Sequence, residues 1–198
     1  MVQPWAEAGF ECWCYDMQHD PGVCQVGRVR MIGCNLLYDI PLPSKCRIAF
    51  AFPPCTHLAA SGARWWKGKG LSALAEAISL VARCADICDS LDVPWMIENP
   101  IGALSSHWRV PDAYFDPCDY AGYLDDPNED AYTKRTCLWV GNGFSVPTPK
   151  PVFPIHGSKM HLVSPSNNRA NIRSRTPLGF ARAVYLANAH QIMKAGAL

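Results

Sequence analysis

A strand–helix–strand pattern in the middle of the chain constrains the fold more than any other feature. The apolar segment Ile48–Phe52 ends at two prolines, and Pro94–Ile97 is a second short apolar segment. Between them, apolar residues recur at helical spacing from Leu71 to Leu91, which predicts a helix of about six turns. Because strands and helices alternate here, the sequence predicts a mainly parallel α/β sheet.

Weaker signals on both sides predict further elements. Glycine caps, prolines and changes of apolar period mark where each element begins and ends. The predicted elements are a helix over Val2–Ala8 capped by Gly9, a strand over Phe10–Tyr15, a Pro- and Asp-rich loop over 112–130, a strand over Thr136–Val140, and a helix from Thr176-Pro177 to about Met193.

Length and charge limit the possible organisation. The chain has 198 residues, of which 49% are hydrophobic, so we expect a single domain over 1–198. The formal net charge is only +1, which gives no global signature of nucleic-acid binding. Basic residues accumulate in the last third of the chain, where no acidic residue follows Asp130. A basic binding surface, if present, is therefore local, and a merely solvated basic face is the alternative.

The ten cysteines do not indicate disulfides or a metal site. The sequence has no stretch typical of a signal peptide and no apolar run of membrane-spanning length, so we expect reduced thiols in a cytoplasmic protein. Cys12 and Cys14 alternate along a predicted strand, and Cys84 and Cys88 lie one helical turn apart, but neither pair forms the CxxC knuckle of zinc sites. Most of the cysteines fit better as small buried apolar residues.

Two polar signals follow the predicted central strands. "PPC" comes after the strand at Ile48, and "ENP" comes after the strand at Pro94. The carboxyl ends of parallel strands meet at one edge of a sheet, so we expect Cys55 and Glu98 to face one cavity. A cysteine nucleophile beside a carboxylic acid that can protonate a ring nitrogen suits attack on an electron-poor pyrimidine. The alternative is a buried thiol and a capping carboxylate.

With these motifs in order, the sequence resembles the cytosine-5 DNA methyltransferases, and in particular their compact phage-type members. "FPPCTHLAASGARWW" resembles the nucleophile motif of that family, and "MIENP" resembles its glutamate–asparagine motif. "YTKRTCLWVG" resembles a strand that starts with basic residues, and "SRTPLGFARAV" resembles the threonine–proline helix near the carboxyl terminus. The resemblance implies a Rossmann-like sheet of the S-adenosylmethionine-dependent methyltransferase type.

The resemblance also implies catalytic roles. Cys55 would attack carbon 6 of a cytosine that is flipped out of the duplex, while Glu98 binds the ring nitrogen and the exocyclic amine. Pro54 would stiffen the loop that presents the thiol, and Asn99 would hold Glu98 in place. Lys134 would contact the base or a phosphate, because Thr136 stands where the family has a second arginine. The implied partner is DNA or a cytosine nucleotide, with no membrane partner.

S-Adenosylmethionine is the implied cofactor, and its expected site is incomplete. The resemblance covers Ala8 to His190 and begins after the glycine-rich loop with which family members cradle the cofactor, so we expect an N-terminally truncated sheet and weakened binding. Either the reading frame begins upstream of Met1, or the chain is a reduced variant. The positions that match the family's cofactor site are Gly9, Phe10, Asp16, Asn35 and Pro53.

The segment before the last helix bears on the substrate. Only about 35 residues separate Val140 from Thr176, which is too few for a target recognition domain. We therefore expect weak sequence specificity on DNA, a very short recognised context, or a nucleotide substrate. Two alternatives remain open: a catalytically dead relative that binds nucleic acid or a protein partner, and a nucleotide-level enzyme that modifies pyrimidines.

Overall fold

The fold is a mixed arrangement of helices and short sheets. The computed structural model describes residues 1–38, 40–159, 163–164, 166 and 169–194. The α-helices are α1 (Gln3–Glu7), α2 (Trp66–Ser90), α3 (Leu104–His107), α4 (Arg169–Ser174) and α5 (Leu178–Lys194). The strands are β1 (Cys12–Val26), β2 (Val29–Gly33), β3 (Ala49–Ala51), β4 (Trp95–Pro100), β5 (Ala113–Phe115) and β6 (Thr136–Gly141). Short 3₁₀ helices cover Ala60–Trp65, Pro117–Asp119, Ala121–Tyr123 and Pro127–Asp130.

The larger sheet has four strands in the order β3–β4–β6–β5. Strands β3 and β4 are parallel, as predicted, but β6 is antiparallel to both β4 and β5. The α/β class is therefore confirmed, whereas the expected mainly parallel sheet is corrected to a mixed one. The physical reason lies in the connections. The long helix α2 links β3 to β4, while residues 101–135 contain β5 and only short helices, and the crossover between parallel neighbours usually runs through a longer helix.

The smaller sheet consists of β1 and β2. The first part of β1 runs parallel to β2, with Cys12 opposite Val29 and Asp16 opposite Gly33. After a bulged turn the second half of β1 runs in the opposite direction along β2, so that Val26 also lies opposite Val29. Both halves of β1 therefore pair with β2, and the predicted strand Phe10–Tyr15 is only the first half of this element.

Helices cover both faces of the larger sheet. On β4, Met96 belongs to the core cluster that contains Phe180 and Val184 of α5. Its neighbours Trp95 and Ile97 belong to a second cluster, which contains Val81, Cys84 and Cys88 of α2. This alternation follows from the two-residue period of a strand, and it places the sheet between α2 and α5.

Most predicted elements are confirmed within a few residues. Helix α1 ends at Glu7, and Gly9 follows with a positive φ of 96°, which suits a glycine at a helix end. Helix α2 has a break at Gly70, where φ is 81°, so its regular part begins at the predicted Leu71. The sequence prediction missed β5, which lies inside the expected loop 112–130. In the described part of the chain, no helix is long and apolar enough to cross a membrane.

Candidate functional site

Cys55 lies in a tight loop that follows β3. The loop begins with Pro53, which is buried, and Pro54, which is exposed, while Cys55 itself is half-buried. The backbone N–H groups of Leu58 and Ala59 both donate to the carbonyl oxygen of Cys55, at 2.9 and 2.8 Å. Two prolines with fixed φ and a closed turn therefore restrict the thiol to a small range of positions.

The segment that follows β4 also contacts this loop. The N–H of Ala60 donates to Ile101 at 2.9 Å, and the N–H of Ala103 donates to Leu58 at 2.8 Å. A Cβ atom on Gly102 would overlap the carbonyl oxygen of Leu58. Only a glycine at position 102 therefore allows the two backbones to approach this closely.

Asn99 joins the Cys55 loop to the strand that carries Glu98. Its Nδ2 donates to the carbonyl oxygen of Pro53 at 2.8 Å, and the residue is only 1% exposed. Glu98 and Asn99 lie inside β4, opposite Leu138 and Cys137 of β6, rather than after the strand as predicted. The correction matters because a ladder position holds Glu98 more firmly than a loop would.

Cys55 and Glu98 influence each other electrostatically. Burial raises the pKa of the Cys55 thiol, and the neighbouring Glu98 charge raises it further, while Lys134 and Arg173 lower it. Burial also raises the pKa of the Glu98 carboxyl, and Lys134 partly offsets this effect. Both groups are therefore biased toward their neutral forms, as expected for an acid and a thiol that share a desolvated site.

A large cleft lies beside Cys55, and we call it the main cleft. Its volume is about 1780 Å³, which exceeds the roughly 300–1000 Å³ of common small-molecule sites. Of the predicted site residues, the described lining includes Phe10, Asp16, Asn35, Pro53, Pro54, Cys55 and Lys134. Gly9, Glu98 and Asn99 are not among the described lining residues, so the prediction that Glu98 faces the same cavity as Cys55 is not confirmed.

Lys134 is held in place by contacts of its backbone. Its N–H donates to Oδ1 of Asp116 at 2.7 Å, and its carbonyl oxygen accepts from the Thr136 hydroxyl at 2.8 Å. Arg135 pairs with Asp116 at 3.3 Å and lies over the Tyr114 ring. Both residues line the main cleft; they precede β6 and do not follow its alternation.

Four of the five predicted cofactor residues line the main cleft, namely Phe10, Asp16, Asn35 and Pro53. The exposed Asp16 accepts from the N–H of Gln18 through Oδ1, and Asn35 accepts from the N–H of Leu37 through Oδ1. Trp5 also lines the cleft, and its buried Nε1 has no partner among the described residues. A carboxylate, an amide and a buried indole donor beside aromatic side chains are chemically suited to a nucleoside with a diol.

The described residues contain no cluster of three or more histidine, cysteine, aspartate or glutamate side chains that could hold a metal ion. All ten cysteines are free thiols. Burial raises the pKa of Cys84 to about 11 and that of Cys88 to about 12, so these two remain protonated and pack as apolar side chains.

The sequence analysis did not predict three residues that contribute to this site. Asp116 orders the backbone before β6, and Arg169 and Arg173 of α4 line the main cleft near Cys55. The accumulation of basic residues after Asp130 was a signal for the two arginines, but it did not identify which of them reach the site.

Comparisons with known proteins add no relative to these observations. No family model, curated protein or solved structure matches this chain.

Proposed function

We propose that this chain is a cytosine-5 methyltransferase-like protein that acts on cytosine in DNA, with Cys55 as nucleophile and Glu98 as acid. The observation that carries the proposal is the Asn99–Pro53 hydrogen bond of 2.8 Å, because it ties the Cys55 loop to the strand that bears Glu98. On this proposal the two sheets are a reduced form of the Rossmann-like arrangement that the sequence resemblance implies.

The raised pKa of the Glu98 carboxyl supports its role as an acid. In the proposed reaction the Cys55 thiolate forms a bond to carbon 6 of the base, and Glu98 gives its proton to the ring nitrogen, so that carbon 5 becomes nucleophilic. S-Adenosylmethionine, when bound, supplies the methyl group that carbon 5 takes. Solvent water then takes the carbon 5 proton, the bond between carbon 6 and sulfur breaks to release the Cys55 thiolate, and Glu98 recovers its proton from the ring nitrogen.

The residues suited to hold the cofactor are Asp16, Asn35 and Trp5. The Asp16 carboxylate would bind the ribose hydroxyls, and the Asn35 amide would bind the adenine edge. Phe10 and Pro53 also line the main cleft and would supply apolar surface. Calorimetric binding of S-adenosylmethionine tests this role, and a catalytically dead relative need not bind it.

A mechanism-based adduct tests the nucleophile. DNA that contains 5-fluorocytosine should become covalently attached at Cys55 in the presence of the methyl donor, because fluorine blocks the elimination step. Cys55→Ser should abolish the adduct, and Cys24→Ser is the matched control, since Cys24 is exposed and lies outside the described lining of the main cleft. Peptide mass spectrometry locates the adduct. An adduct that survives Cys55→Ser would contradict the proposal.

A further inference from the structure

Basic side chains gather where the main cleft meets Cys55. Lys134 lies just before β6, and Arg169 and Arg173 lie one turn apart on α4; all three line the main cleft, and the charges of Lys134 and Arg173 act on Cys55. The acidic residues in the described lining are Glu11 and Asp16, which belong to the β1 side. The part of the cleft near the thiol therefore carries a local positive charge, although the net charge of the chain is only +1.

None of these cations forms an ion pair among the described residues, although Lys134 interacts electrostatically with the Glu98 carboxyl. Arg135, by contrast, is paired with Asp116, so its charge is largely compensated. The Nε atom of Arg169 is buried and has no hydrogen-bond partner in the described part of the chain. A buried guanidinium donor without an acceptor is unfavourable in the free protein, so it points to an anionic acceptor that a ligand would supply.

Hydrogen bonds anchor the backbone of Lys134, and Arg173 is held on helix α4. Lys134 is held by Asp116 and Thr136, at 2.7 and 2.8 Å. The Arg173 side chain is half-buried, and its charge is close enough to Cys55 to lower the pKa of the thiol, in the direction opposite to burial. Two cations thus lie within electrostatic reach of the proposed nucleophile.

We infer that Arg169 and Arg173, together with Lys134, form a subsite for the phosphate of the nucleotide that carries the target cytosine. This inference rests on the proposed function and names its substrate class: a phosphorylated cytosine, as a free nucleotide or within a strand, and not the nucleoside. Guanidinium groups bind phosphate oxygens through paired N–H donors, which makes Arg the suitable residue here. The six-residue helix α4 supplies these contacts from the segment in which the sequence analysis found no room for a recognition domain.

Binding of a fluorescently labelled single-stranded oligodeoxynucleotide with one cytosine tests the subsite. Arg173→Gln should weaken binding about tenfold and lower the slope of log affinity against log salt by about one. Arg175→Gln is the matched control, because Arg175 carries the same charge and lies only two residues from Arg173. Its side chain is exposed and lies outside the described lining of the main cleft. This replacement should change affinity less than about twofold. Arg173→Lys should recover part of the salt slope, because it restores the charge.

Competition then identifies the source of the phosphate. Deoxycytidine monophosphate should displace the oligonucleotide if the free nucleotide is sufficient, whereas only a longer strand should displace it if flanking phosphates contribute. Either result supports the subsite. Equal losses in Arg173→Gln and Arg175→Gln, or equal competition by deoxycytidine and its monophosphate, would overturn it. The two proposals can fail separately. If binding depends on Arg173 but no Cys55 adduct forms, the proposed methyl transfer is refuted and the phosphate subsite is retained.

Discussion

Replacement of Asn99 by alanine should destabilise the protein through one identifiable contact. The Asn99 side chain is 1% exposed and donates to the Pro53 carbonyl at 2.8 Å. Its loss leaves a buried acceptor without a partner, which costs about 1–3 kcal/mol. For a chain of this size, each kcal/mol lowers the melting temperature by about 2–4 °C.

Urea unfolding followed by circular dichroism measures this loss, with Asn128→Ala as the matched control. Asn128 is exposed, so its replacement should change the free energy of unfolding by less than about 0.5 kcal/mol. Asn99→Ala should also slow the formation of the Cys55 adduct, because the loop that presents the thiol is released from β4. An unfolding free energy within about 0.5 kcal/mol of the wild type would refute the role assigned to this hydrogen bond.

Three further predictions concern the same site. Gly102→Ala should lower the free energy of unfolding by about 1–3 kcal/mol, because its Cβ overlaps the Leu58 carbonyl; Gly68→Ala, which meets no neighbour, is the control. Alkylation of Cys55 by iodoacetamide, followed by peptide mapping, should increase with pH, and Lys134→Gln should slow it at fixed pH because the pKa of the thiol rises. Glu98→Gln should raise the free energy of unfolding at neutral pH by about 1.4 kcal/mol per unit of pKa shift. The raised pKa of the Glu98 carboxyl means that its ionised form destabilises the folded protein. The gain should therefore vanish below the pKa that this carboxyl has in the unfolded state.

The central part of the fold was predictable because its signals are local and strong. The apolar period of α2 and the proline-bounded segments at β3 and β4 each specify one element, and their order implies that β3 and β4 are parallel. The direction of β6 was not predictable in this way. It depends on the connection through residues 101–135, whose short 3₁₀ helices and three-residue strand β5 have no periodic pattern.

The site was predictable to the extent that it follows strand ends. Cys55 was proposed because it follows an apolar segment, and it does lie in the loop after β3; Glu98 was proposed on the same ground but lies inside β4. Asp116 and Arg173 were not identified, because they reach the site from segments that are distant in sequence and have no regular spacing relative to it. Their roles depend on tertiary contacts, such as the 2.7 Å bond from the Lys134 N–H to Asp116.

The proton on Glu98 and the charge on Cys55 are coupled, and this coupling separates a catalytic role of Glu98 from a structural one. An ionised Glu98 raises the pKa of the Cys55 thiol, so the thiolate is favoured when Glu98 is protonated. The proposed reaction needs this same state, since the thiolate attacks and the acid gives its proton to the ring. Glu98→Gln removes both the carboxylate charge that disfavours the thiolate and the proton that the reaction transfers. It should therefore speed alkylation of Cys55 by iodoacetamide and slow formation of the adduct with 5-fluorocytosine. A variant that only disorders the loop would change both rates in the same direction. Equal changes of the two rates in one direction would show that Glu98 acts on Cys55 through structure alone.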